Sequence, residues 1–228
     1  MKEFLYDSPE FRAELAKSAH AAGEVEFLES IAKPGMRAIE IGANHGVTAV
    51  TIASRIGSQG WLYAFEPVPE HFAILESNLS RNHVENASAH QLAVTGRPGL
   101  IRFYKHGGGS GIAPAEDAEQ IWVEATTLAD FLADRNVDGI DLLNMDCEGS
   151  ELLALKGANP LLREDAPQIF CEVHHGYLQQ LGQSAEELVA YLQRLGYQVE
   201  LLQVERLHKA TTLKASSHIH ASEPEGSR

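Results

Sequence analysis

Apolar residues follow two rhythms along this chain. Compact apolar runs at residues 38–41, 61–65, 140–146 and 168–175 read as buried strands. Between them, apolar residues three and four apart predict helices over 47–56, 67–82, 128–132, 152–157 and 184–195. In the second of these, Phe72, Leu75 and Leu79 share one face. Ser184 with Glu187 forms a capping box at the start of the last, and Gly196 ends it. Shorter strands are expected at 90–94, at 100–104, whose alternation suits a sheet edge, and at 121–125. Residues 197–204 and 207–213 read as a closing antiparallel pair. Strands alternating with helices and then a terminal hairpin predict a doubly wound α/β sheet with helices on both faces.

The chain before the first strand is different. Ser8-Pro9-Glu10 is a helix start, followed by a helix to about His20 and, after Gly23, a second to Ile31. These helices would pack on the sheet or roof a ligand site, and packing is the commoner use of an amphipathic helix. The expected organisation is a helical extension over 1–32, one α/β domain over 33–222 and a disordered polar tail over 223–228. No internal repeat is present.

The motif that organises the domain lies between the first two strands. Gly42-Ala43-Asn44-His45-Gly46 turns the first strand into the helix, and the second strand ends on Glu66, twenty positions after Gly46. Glycine lets the backbone bend sharply and approach a ligand. A carboxylate at the second strand's tip can accept both hydroxyls of a ribose. A pyrophosphate binder needs G-x-G-x-x-G, whereas this turn is G-x-x-x-G with Asn44 at the middle position. Glu40, in the strand just before the turn, would repel a pyrophosphate and attract an ammonium. An ammonium, a sulfonium and a ribose diol in one ligand describe S-adenosylmethionine (SAM). Glu40, Gly42, Asn44, Gly46 and Glu66 are therefore the candidate cofactor residues, with Ala93 at the tip of the third strand beside them. A tight βα turn with two incidental acids is the plainer alternative.

Composition narrows the partners. With 228 residues and 44% hydrophobic content the chain can bury one full core. Eighteen basic against 32 acidic residues give a net charge of −14, spread along the chain, which disfavours nucleic acid or an anionic membrane as the main partner. A small-molecule acceptor is expected, and a homo-oligomer is compatible with the sequence. Two cysteines without zinc-type spacing suit a reducing compartment. No run approaches the ~20 apolar residues of a membrane span, and a cytoplasmic protein is expected.

The motifs Ile41-Gly-Ala-Asn-His-Gly46, Ala64-Phe-Glu-Pro67, Asn78 with Asn82, Asp146-Cys-Glu-Gly-Ser-Glu151 with Leu155-Lys-Gly157, and Cys171-Glu-Val-His174 occur in that order. Together they resemble the FkbM family of SAM-dependent methyltransferases over residues 33–202. The resemblance implies a class I, Rossmann-like methyltransferase sheet of seven strands with the last antiparallel. It also implies O-methylation of hydroxyls on sugars, small metabolites or natural products. Family members usually carry lysine where this chain has Asn144, and an aliphatic residue where it has His45 and Cys147. A leucine-aspartate pair is replaced by Leu128-Ala129. Transfer to nitrogen or to a carboxylate, or SAM binding without catalysis, are the alternatives.

Ligands of doubly wound sheets sit beyond the carboxyl ends of the strands. That points to Asp146 and Glu148 after the fourth main strand and to Glu172, His174 and His175 at the end of the fifth. Alternation puts Glu172 and His174 on one face. Three readings compete. His174 or Asp146 is a general base, with Glu148 beside it. Asp146, Glu172 and His174 hold a divalent cation, for which Mn²⁺, Fe²⁺ or Zn²⁺ suit the donors better than Mg²⁺. Or Glu172 and His174 are a hydrogen-bonded structural pair. His45 is either a cofactor contact or a loop side chain. His218 and His220, two apart near the end, are a weak metal signal. Cys147 and Cys171 read as small buried hydrophobes, Trp61 and Trp122 as core, and Gly107 to Gly111 as a linker or a mobile substrate loop.

Overall fold

A computed structural model describes residues 2–5, 19–106, 109–203, 208–209 and 216–223. The first described helix, α1 (Ala19–Ile31), runs through Gly23 without a break; the helix expected to start at Ser8 lies outside the described residues. The chain continues as β1 (Arg37–Ile41), α2 (Val47–Ile56), β2 (Trp61–Phe65), α3 (Pro69–Arg81), β3 (Ala87–His90), β4 (Ala93–Val94), β5 (Gly99–Lys105) and β6 (Glu119–Thr126). There follow α4 (Leu128–Arg135), β7 (Leu142–Met145), α5 (Glu151–Gly157), α6 (Asn159–Glu164), β8 (Gln168–His174), α7 (His175–Gln180), α8 (Ala185–Arg194), β9 (Gln198–Gln203), β10 (His208–Lys209) and β11 (Ser216–Ser222). Local signals set several boundaries. Ser184 Oγ accepts from the Glu187 amide at 3.1 Å, and Thr127 Oγ1 accepts from the Asp130 amide at 3.0 Å.

The main sheet has the order β10-β9-β11-β8-β7-β1-β2-β3. Strands β3, β2, β1, β7 and β8 are parallel, while β11 runs antiparallel to both β8 and β9. Apart from the two-residue β10 at its edge, this is a seven-stranded sheet whose last strand is reversed. Parallel strands buried on both faces explain the near-continuous apolar runs. On one face, Ile39, Ile41, Phe65, Leu143 and Val173 pack with α4 to α8; on the other, Ala38, Leu62, Ala64, Leu142 and Phe170 pack under α1, α2 and α3. Glu40 and Asn144 share this second face, a hydrogen-bonded polar pair at the edge of an apolar layer.

Four expectations need correction. The strand expected at 90–94 divides: Leu92 N–H turns back onto the His90 carbonyl at 2.9 Å, and β4 joins a separate sheet. That sheet, β4-β6-β5, takes in the strands expected at 100–104 and 121–125, so the first of these is an edge of a second sheet. The expected antiparallel pair is present as β9 and β10, with 204, 207 and 210–213 outside the described residues, but it does not close the sheet against β8; that place is taken by a later strand, β11. Its sequence, SSHIHAS, carries only Ile219 and Ala221 as apolar signal, although both are fully buried. Trp61 and Trp122 are not core, being 37% and 62% exposed; each points outward from its strand.

Gly42 shows what the turn's glycines do. At φ 83° it is left-handed, and a Cβ there would lie 1.7 Å from the Asp146 carbonyl oxygen. The glycine therefore makes room for the end of β7 as well as bending the chain. Gly42→Ala is expected to destabilise the protein by more than about 3 kcal/mol through strain and overlap. A melting temperature within a few degrees of wild type would refute this account.

Candidate functional site

Two hollows open over the carboxyl ends of β1, β2 and β7. The larger, of about 220 Å³, lies between the β1–α2 turn and α1, with Glu24, Leu28, Glu40, Asn44, Asn144 and Asp146 in its walls. The smaller, of about 40 Å³, has Glu66, Ala93, Ser110, Asp146 and Glu148 in its walls. Gly42, Asn44 and Asp146 border both. Every residue expected to hold the cofactor lines one hollow or the other. The larger takes in Glu40 and Gly46, the smaller Glu66 and Ala93. The role of α1, left open between packing and roofing, is both: Leu28 belongs to the core and Glu24 faces the hollow.

Glu66 is buried and anchors the turn. Its Oε2 accepts from the Asn44 amide and its Oε1 from the Val68 amide, each at 2.9 Å. Asn44 sits at φ 48°, and its Oδ1 is buried without a hydrogen bond among the described residues. His45 is buried beside the larger hollow, its ring edge-on to His71 at 5.0 Å. Glu40 Oε1 accepts from Asn144 Nδ2 at 2.9 Å. Burial pushes the Glu40 carboxyl up to about 7; hydrogen bonding from Thr48 and Asn144 opposes the rise, and the Glu24 carboxylate adds to it.

At the ends of β7 and β8 the acids and histidines converge. His174 Nδ1 lies 2.9 Å from Glu151 Oε1, which also accepts from the Gly149 amide at 3.0 Å. Its Nε2 faces Glu148 Oε2 at 3.2 Å, Glu172 Oε1 at 3.7 Å and Asp146 Oδ1 at 3.8 Å. Across the sheet register, Glu172 pairs with His218, and its Oε2 lies 3.6 Å from His218 Nε2. Glu24, descending from α1, meets the same nitrogen at 2.9 Å.

Charge shapes this cluster. Burial would lower the His174 pKa, but the hydrogen bond to Glu151 and the carboxylates of Asp146, Glu148 and Glu151 raise it to about 10. With no cation bound these carboxylates favour the protonated ring, both of whose nitrogens are directed at carboxylate oxygens. Glu148 is pushed up to about 7, first by burial and then by Glu172 and Glu151, against the pull of His174. Asp146 is likewise raised, burial of Oδ1 leading; His174 opposes, and Glu172 and Glu148 reinforce. Burial leads in pushing both thiols well above their ordinary value, so neither Cys147 nor Cys171 is a ready nucleophile.

Glu24, Glu151 and His218 belong to this constellation without having been singled out as site residues. His218 had only its two-residue spacing from His220 as a signal. Glu24 lies on a helix whose tertiary position the sequence does not disclose. Glu151 stands inside the motif after β7 but reads there as an ordinary first-turn acid. Of the glycine-rich stretch, Gly107 and Gly108 lie outside the described residues. Gly111 pairs with Tyr104, and a Cβ on it would come within 2.5 Å of the Glu148 carbonyl, so the loop's end is pressed against the site.

A doubly wound sheet with a reversed last strand, bearing two hollows around a glycine turn and an acid at the tip of β2, defines the class I methyltransferase fold. Residues 40–199 match the methyltransferase FkbM domain, and the chain belongs to that family. It is 27% identical over 201 residues to the 31-O-demethyl-FK506 methyltransferase FkbM of Streptomyces tacrolimicus, covering 73% of this chain and 74% of that one. To Methyltransferase 1 of Beauveria bassiana it is 26% identical over 143 residues, 52% of this chain and 57% of that protein. Among solved structures, methyltransferase FkbM of Methylobacillus flagellatus superposes with a TM-score of 0.57 at 16% identity, over 90% of this chain and 52% of that one. Fibrillarin of Aeropyrum pernix, with SAM bound, gives 0.52 at 15% identity, over 89% and 75%. The chain thus spans just over half the length of the Beauveria and Methylobacillus proteins. No described helix is long and apolar enough to cross a membrane.

Proposed function

We propose that this protein is a SAM-dependent methyltransferase that transfers the methyl group to a hydroxyl of a small metabolite, sugar or natural product. The observation that carries the reading is a pair of acids, one in the wall of each of two adjoining hollows. Glu40 faces the larger and Glu66 the smaller, with Gly42 and Asn44 shared between them. Glu40 takes the ammonium of the methionine moiety, Glu66 the ribose hydroxyls, and Gly42, Asn44, Gly46 and Ala93 the surfaces between. Residues 33–222 form the catalytic unit, with 1–32 as an extension and 223–228 as a tail. Two unpaired cysteines and a charge of −14 favour a cytoplasmic enzyme with a small-molecule acceptor. The Streptomyces relative's name specifies transfer to an oxygen.

Methyl transfer is an in-line displacement in which positioning supplies most of the acceleration. A hydroxyl acceptor must also surrender its proton. Asp146 borders both hollows, and Glu148 stands beside it, so these carboxylates meet an acceptor placed over the sulfonium. His174, oriented by Glu151, holds the two acids in place. A cation bound by Asp146, Glu172 and His174 is a second reading, favoured by three carboxylate oxygens converging on one ring nitrogen.

The test is a SAM-consumption screen over hydroxylated, amino and carboxylate metabolites, with and without EDTA, alongside calorimetry with SAM, its demethylated product and NAD. Micromolar binding of SAM but not NAD, with turnover on hydroxylated acceptors, is expected. NAD binding without SAM binding would refute the reading. Glu66→Ala should weaken SAM by about 10- to 150-fold, since a hydrogen bond to a charged group contributes about 1.5–3 kcal/mol. Equal affinities for Glu66→Ala and wild type would remove this acid from the site.

A further inference from the structure

We infer that the acid–histidine cluster is a dinuclear cation site, with Glu172 as the bridging carboxylate between two divalent ions such as Mn²⁺. One ion takes Asp146, Glu148 and His174. The other takes Glu24 and His218, and Glu172 offers one oxygen to each.

The geometry of Glu172 is the first ground. Its Oε1 lies 3.7 Å from His174 Nε2 and its Oε2 3.6 Å from His218 Nε2. The two oxygens of one carboxylate therefore serve two separate imidazoles, as a bridge between ions about 3.5–4 Å apart requires. Around each imidazole the donors group tightly. Asp146, Glu148 and His174 offer ligand atoms within 4.8 Å of one another, and so do Glu24, Glu172 and His218. A cation with bonds of about 2.1 Å separates neighbouring ligands by about 3.0 Å in octahedral and about 3.4 Å in tetrahedral geometry. The separations of 3.2, 3.7 and 3.8 Å around His174 Nε2 need only small side-chain movement to reach those values.

The second ground is independent of the donors themselves. Glu151, fully buried, holds His174 by Nδ1, and the Gly149 amide holds Glu151 in turn. A metal-binding histidine almost always gives its other ring N–H to such a carboxylate, which fixes the tautomer and aims the free nitrogen at the ion. Here the nitrogen so aimed faces three carboxylate oxygens. Asp146 Oδ1 is one of them, buried and with no hydrogen-bond donor among the described residues. The full set, two histidines and four carboxylates, is hard and oxygen-rich with some imidazole, which suits Mn²⁺ or Fe²⁺. Its position matters as well. Asp146 borders both hollows, so the ion it holds would lie beside the place assigned to the acceptor, while Glu24 brings the other to the wall of the larger hollow.

The site's part in turnover rests on the methyltransferase reading, but its existence does not, and the experiment separates them. The full-length protein, stripped with EDTA and dialysed against Mn²⁺, should retain two ions per chain by elemental analysis and show the electron paramagnetic resonance signal of a spin-coupled pair. Glu24→Gln and, separately, His218→Ala should each keep one ion and lose the coupling, while a cooperative thermal transition and an unchanged far-ultraviolet circular dichroism spectrum show that each variant is folded. Glu172→Gln should abolish the coupling too. One ion or none in the wild-type protein at millimolar Mn²⁺ would overturn the dinuclear site. Two coupled ions surviving in both Glu24→Gln and His218→Ala would do the same. Two coupled ions in a protein that does not bind SAM would leave this inference standing and sink the methyltransferase reading instead.

Discussion

Replacing Asp146 by asparagine is expected to lower turnover by about 10²–10⁴-fold while SAM affinity stays within about threefold. The loss corresponds to about 3–5 kcal/mol of transition-state stabilisation. It is large because Asp146 is the carboxylate that borders both hollows. His174→Ala should produce a similar loss, because without the imidazole Asp146 and Glu148 face each other uncompensated. Three roles separate on this pair and on Glu172→Gln. If protons are taken by the carboxylates alone, activity is indifferent to EDTA. If cations activate the acceptor, EDTA abolishes activity and Mn²⁺ restores it, because the ion lowers the acceptor's pKa. If the cluster only supports the sheet, Glu172→Gln lowers the melting temperature and the folded fraction keeps its turnover. Full turnover in both Asp146→Asn and His174→Ala would put the chemistry elsewhere.

Much of the fold is legible because parallel strands buried on both faces announce themselves as apolar runs. β1, β2, β7 and β8 all lie where such runs fall. What misleads is polarity at the sheet's margins. β11 alternates serine and histidine with small apolar residues, so its burial comes from position between β8 and β9 and not from composition. The small sheet of β4, β5 and β6 has exposed Leu100 and Trp122, and the chain enters it from the main sheet through one turn at Leu92. The site divides along similar lines. Glu40, Gly42 and Glu66 belong to one contiguous βαβ unit, where spacing translates directly into geometry. Glu24, Glu172 and His218 come together from α1, β8 and β11, and 194 residues separate Glu24 from His218. Spacing cannot report such a meeting; the antiparallel register of β11 creates it.

Glu40→Gln is expected to stabilise the SAM-free protein above neutrality and to weaken SAM binding. Glu40 has a folded-state pKa of about 7 against an ordinary 4.5, with burial as the leading cause. Between these two values the unfolded chain has released the proton and the folded chain retains it. Stability therefore falls as pH rises from about 4.5 to about 7, and the deficit persists above that. A shift of this size amounts to about 3 kcal/mol. Glutamine keeps the hydrogen bond from Asn144 but carries no charge to bury, so the variant should melt higher than wild type at pH 8 and close to it at pH 5. SAM reverses the balance, because its ammonium supplies the countercharge that the fold withholds. Wild-type affinity should accordingly rise about tenfold from pH 5.5 to pH 7 as Glu40 ionises, whereas Glu40→Gln should bind weakly and with little pH dependence. Glu24, the charged group that faces Glu40 from α1, is retained in both proteins and sets the same background. A Glu40→Gln protein that melts lower than wild type at pH 8, or binds SAM equally well at pH 7, would show that this carboxylate serves the fold and not the cofactor.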